Sequence, residues 1–116
     1  MEISVMGVPY TLEYRVKADD PALDNCDGYC DFSAKCIVVR DYTESERKDP
    51  MCSADLEAYK RKCARHEIVH AFLYESGLSF NALNLDGAWA TNEEMVDWMA
   101  IQGPKLYAAW TAAKCL

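Results

Sequence analysis

Long hydrophobic runs are missing from this 116-residue chain, and no segment approaches the roughly 20 apolar residues that a membrane-spanning helix needs. Met1 to Val16 alternates apolar and polar residues, without a basic start or a continuous apolar run, so no signal peptide is read there. Basic residues are scarce as well. Twelve Lys and Arg face nineteen Asp and Glu, and a formal charge of -7 would repel a phosphate backbone. No basic cluster is read as a nucleic-acid footprint, so neither nucleic acid nor a membrane is expected as a partner. Internal repeats, low-complexity tracts and interdomain linkers are also absent, and the length suits one modest core. A single domain over residues 1–116 is expected. The six cysteines would allow fifteen pairings if all were oxidised. With no leader and enough large apolar residues for a core, reduced thiols in a cytoplasm are the expectation.

What is present reads as an α+β pattern. Ile3 and Val5, then Tyr10, Leu12, Tyr14 and Val16, follow period two on either side of Met6-Gly7, which predicts a β-hairpin. Short strands are predicted around Tyr29 to Phe32 and over Cys36 to Arg40. Asp41 to Pro50 is charge-dense without apolar periodicity and reads as a solvated loop. Leu56, Tyr59, Cys63, His66, His70 and Leu73 then share the three-four spacing of one helical face, capped by Asp49 or Ser53 and stopped at Gly77. Thr91 to Glu94 matches the S/T-x-x-E capping box, so a second helix begins there with Met95, Trp98, Met99 and Ile101 as its stripe. Gly103-Pro104 is expected to break or kink it before a C-terminal helix. Trp89, Trp98, Trp110 and Tyr107 read as core residues, with Trp89 as an alternative cleft wall.

Chemistry concentrates in His66-Glu67-Ile68-Val69-His70, an H-E-x-x-H motif inside a predicted helix, formed by the only two histidines of the chain. Four helical residues advance about 400°, so both imidazoles leave one face and can converge on one Zn2+. Glu67, angled toward the open side, would take a proton from a water whose pKa the metal lowers to about 7. A catalytic zinc wants a third protein ligand, and Glu93 and Glu94 are the candidates. As a capping-box residue Glu94 turns back toward the cap, which favours Glu93. Asp97, four residues on, could accept the outer N-H of a ligating imidazole. Tyr74, about 20° around the helix from Glu67, is a candidate oxyanion stabiliser. Cys26, Cys30 and Cys36 lack the paired spacing of a second zinc site, and Cys63 reads as packed.

HEIVHAFLYESGL followed by NEEMVDWMA resembles the minimal gluzincin-type zinc metallopeptidases of bacteriophages and prophages, relatives of the ImmA/IrrE-type and SprT-like zincins. The resemblance extends to CDGYCDFSAKCIVV and covers most of the chain from Cys26 onward. It implies a zincin-like fold in which a small curved sheet packs on the zinc-bearing helix and a second helix brings a glutamate ligand followed four residues later by an aspartate. Glu93 and Asp97 match that pattern, and Glu94 does not. An edge strand along the cleft, with Cys36 to Arg40 as the candidate, would take an extended peptide as a further strand. Larger gluzincins supply a Tyr or His to the oxyanion, and no further His exists here. The expected activity is hydrolysis of a peptide or protein substrate. The alternative is a weak or inactive zincin scaffold acting as a phage accessory protein that binds a host or phage partner.

Overall fold

The computed structural model describes residues 1–52, 54–80 and 93–116, with the side chains of Glu93, Val96, Asp97 and Ala100 outside the description. It has an α+β architecture built on a four-stranded mixed sheet. The hairpin forms as expected. Strand β1 (Glu2–Val5) pairs antiparallel with β2 (Val8–Arg15), Ile3 opposite Tyr10. The turn is made by Met6 and Gly7 at φ 52° and 89°, the left-handed region where glycine is least strained.

Strands β3 (Gly28–Asp31) and β4 (Cys36–Arg40) form a second antiparallel hairpin, and β4 pairs parallel with β2, giving the order β1-β2-β4-β3. The expectation that Cys36 to Arg40 lies at the edge is therefore corrected, because the edges are β1 and β3. Ile37, Val38 and Val39 are all fully buried, as an interior strand covered on both faces requires. The charge-dense segment after β4 is also more ordered than a loop. It contains a four-residue helix α1 (Glu44–Arg47), where Thr43 and Glu46 form a reciprocal capping box.

Helix α2 (Leu56–Glu75) starts at Asp55, whose carboxylate accepts from Ala58 N at 2.9 Å, so neither Asp49 nor Ser53 is its cap. Gly77 ends it at φ 78°. Its core-facing stripe is Ala64, Ile68, Ala71 and Phe72, one position round from the face read from sequence. These residues pack with Ile3, Val5, Tyr10, Leu12, Ile37 and Val39 of the sheet and with Leu106, Ala109 and Ala113 of helix α3 (Glu93–Ala112).

Helix α3, described from Glu93, runs through Pro104 without a break. Pro104 forfeits one backbone hydrogen bond. Both halves are nevertheless anchored on the same core, the first by Trp98 and the second by Leu106, Ala109 and Trp110, and this holds the helix in one piece. Tyr107, read from sequence as a core residue, is 61% exposed and does not join the core, and Ile101 of the expected stripe is exposed as well. Trp89 and the proposed Thr91 cap lie outside the described residues. Among the described residues no helix is long and apolar enough to cross a membrane.

Candidate metal centre

The shift of the buried stripe decides how the motif is presented. With Ala64, Ile68 and Ala71 seated on the sheet, His66 and His70 stand on the exposed side of α2, and Glu67 between them turns inward. The two Nε2 atoms are 3.0 Å apart, with ring centroids at 4.7 Å and planes at 77°. Two imidazoles bound to one zinc at 2.0–2.1 Å in tetrahedral geometry would hold their nitrogens about 3.4 Å apart, so a small ring rotation admits the ion. Both rings border a cleft of about 310 Å³ with Lys62, Arg65, Val69 and Trp110. Partial burial, then the charge of His66, pulls the His70 imidazole below its ordinary pKa, which favours the neutral, ligating form.

Glu67 is only 8% exposed, and no hydrogen bond or ion pair to a described residue holds its carboxylate. It opens on a second cleft of about 270 Å³, between α2 and the start of β3, together with Gly28, Asp27, Tyr59 and Cys63. Burial pushes the carboxyl up from its ordinary value, and the neighbouring His66 offsets part of that. An ionisable group buried without a partner costs stability, and such groups concentrate where proton transfer is needed.

Gly28 makes this placement possible. A β-carbon at position 28 would meet Glu67 Cγ at 3.1 Å, Glu67 Oε1 at 3.2 Å and the Val38 carbonyl at 3.1 Å. The sequence shows Asp27-Gly28 as an ordinary turn signal, and only the packing of β3 on α2 reveals its role. Asp27 is held by Tyr59, whose hydroxyl donates at 2.7 Å, and by Arg40 at 3.5 Å.

The third-ligand candidate Glu93 and its companion Asp97 occupy the first turns of α3, but their side chains lie outside the described residues. Among the described residues no group of three His, Cys, Asp or Glu is placed to hold a metal ion. Glu94 is exposed. Tyr74 is stacked on Phe32 at 4.2 Å and tilted against Phe80 at 5.2 Å. Packing accounts for it, and no hydrogen bond ties its hydroxyl to the motif residues. All six cysteines are free thiols. Cys26 is exposed, and Cys63 is half-buried against the core beside Glu67.

Two basic residues join the histidines. Lys62 and Arg65 lie on the same helical face as His66 and His70, and all four border one cleft. The run Lys60-Arg61-Lys62 followed by Arg65 was the available signal. Compared with models of known protein families, with curated proteins and with solved structures, the chain matches none.

Proposed function

We propose that this chain is a zinc-dependent hydrolase of peptide bonds, a minimal zincin-like metallopeptidase of the gluzincin type, phage- or prophage-encoded and acting in the host cytoplasm. The observation that carries the reading is Glu67, a largely buried residue that lines a cleft and whose carboxylate meets no partner among the described residues, beside two imidazoles whose Nε2 atoms lie 3.0 Å apart. Desolvation of that carboxyl costs stability, and a role in proton transfer would account for it.

His66, His70 and Glu93 would hold the metal, with Asp97 orienting one imidazole through its outer N-H. Zinc, when bound, supplies the Lewis acidity that lowers the pKa of a water to about 7 and polarises a carbonyl. Glu67 takes a proton from the attacking water as its oxygen bonds to the carbonyl carbon. It then delivers that proton to the amine nitrogen as the C–N bond breaks. Its raised pKa suits both transfers, since acid–base catalysis works best near the operating pH. Gly28, the first residue of the edge strand β3, lines the Glu67 cleft, so an extended peptide added along β3 would end near the base; this role was expected of Cys36 to Arg40.

The test is zinc per chain by elemental analysis on tag-free protein, together with cleavage of a mixed peptide library followed by mass spectrometry. About one zinc is expected, with affinity reduced in Glu93→Ala, and Glu67→Gln should slow cleavage by about 10²–10⁴-fold while retaining the metal. Zinc bound without cleavage would favour the accessory scaffold. No zinc in reduced, reconstituted protein would overturn the hydrolase reading.

A further inference from the structure

The cleft shared by the two histidines is lined by two cations, Lys62 and Arg65. Three of the other four arginines are paired within the chain: Arg15 with Glu13 and Asp20, Arg40 with Asp27 and Glu46, Arg47 with Asp41 and Glu57. Lys60 is likewise held by Asp41 at 2.7 Å. Lys62, two positions on, is exposed and has no carboxylate partner, its ammonium lying 5.4 Å from the Tyr59 ring centroid. Arg65 also lacks one; its Nη1 donates to the Cys115 carbonyl, which fixes the guanidinium and leaves the rest of its donor fork unspent. Among the described residues no acidic side chain lines this cleft, although Lys62 and His66 also border the neighbouring cleft that holds Asp27 and Glu67. Its remaining walls, Val69 and Trp110, are apolar, which strengthens any charge interaction inside.

We infer that this cleft is a carboxylate-binding subsite, in which Lys62 and Arg65 hold a carboxylate within about one residue of the bond that is cut. The inference rests on the hydrolase reading for what lies at His66 and His70. Lys62 is one helical turn, about 6 Å along the axis, from His66, and Arg65 adjoins it in sequence. A substrate residue spans about 3.3–3.6 Å, so a carbonyl at the imidazoles places the neighbouring residue's carboxylate within reach of both cations. That carboxylate can come from an acidic side chain or from a free C-terminus, giving respectively an acidic-site endopeptidase or a carboxypeptidase. The chain's overall negative charge disfavours anionic ligands in general, so a preference for one must be local.

The experiment measures binding of three rhodamine-labelled octapeptides to zinc-supplemented Glu67→Gln protein by fluorescence anisotropy. One has a central glutamate and an amidated C-terminus, the second glutamine and a free C-terminus, the third glutamine and an amide. At least one of the carboxylate peptides should bind about fivefold tighter than the neutral one, and which of them does so identifies the source. Lys62→Gln should erase the difference and Lys62→Glu should reverse it. Equal affinities for all three, or a preference that survives Lys62→Glu, would overturn the subsite. Cleavage by the unsubstituted protein is read separately. A Lys62-dependent preference without cleavage overturns the hydrolase reading and keeps the subsite, and cleavage without preference does the reverse.

Discussion

Gly28 lies against Glu67 so closely that a β-carbon at position 28 would stand 3.1 Å from Glu67 Cγ and 3.2 Å from Oε1. The glycine at the start of β3 therefore sets where the proposed base can sit. Gly28→Ala should destabilise the fold by about 1–3 kcal/mol through overpacking. In a Glu67→Ala background the same substitution should cost less, since only the contact with the Val38 carbonyl remains. Urea unfolding of the four proteins of this cycle should give a coupling of about 0.5 kcal/mol or more. Strict additivity would mean that β3 moves aside and that Gly28 does not position Glu67.

Glu67 itself should be held at the expense of stability. Its pKa is raised on folding, so its contribution is unfavourable once the unfolded carboxyl ionises near pH 4.3 and grows as pH rises toward the folded value. Glu67→Gln in metal-free protein should then be more stable than the parent at pH 7 by about 1 kcal/mol, roughly 4 °C in Tm. The advantage should fade as pH falls below the unfolded value and be gone by about pH 3, where the parent carboxyl is protonated in both states. Thermal melts at the two pH values check this, and a variant less stable than the parent at pH 7 would show that the carboxylate is satisfied.

Much of this arrangement was legible beforehand, and what was not has physical reasons. The stop at Gly77 and the Met6-Gly7 hairpin are local signals, and the structure places them as read. Sheet order is not local. Yet Ile37-Val38-Val39, apolar without alternation, carried the mark of a strand buried on both faces, which contradicts an edge position. Helix α1 had a visible capping box in Thr43 and Glu46, hidden by the charge around it. The role of Gly28 had no sequence signal, because the clash it avoids is with a residue 39 positions away.

Glu75 joins the sheet to the end of α2 and should make the fold acid-sensitive. Its carboxylate accepts from the Tyr10 hydroxyl at 2.6 Å and pairs with Lys35, and these contacts, Lys35 first, hold its pKa below the ordinary glutamate value. A lowered folded pKa gives stability that is present above the unfolded value, near 4.3, and is lost as pH falls through the folded one. Glu75→Gln should cost about 1 kcal/mol at pH 7, a modest figure because Lys35 is partly solvated. Urea midpoints of parent and variant should converge as pH falls through the lowered folded value. A gap of the same size above and below that value would assign the effect to packing and not to charge.

Pro104 tests whether the unbroken α3 is held by its anchors. The residue is exposed, cannot donate to the Ala100 carbonyl and sits inside a 20-residue helix. Proline in a helix interior is disfavoured by about 3 kcal/mol relative to alanine, and the entropy it removes from the unfolded chain returns up to about 1 kcal/mol. Pro104→Ala should therefore stabilise the protein by about 2 kcal/mol, if Trp98 on one side and Leu106 and Ala109 on the other already fix the helix as it stands. Removing an anchor should act in the opposite direction and more strongly, with Leu106→Ala costing about 2–5 kcal/mol. Chemical denaturation gives both values. A destabilising Pro104→Ala would mean that the packing of α3 depends on a bend the proline imposes, and that the first turns bearing Glu93 and Asp97 are aimed by that bend and not by the core.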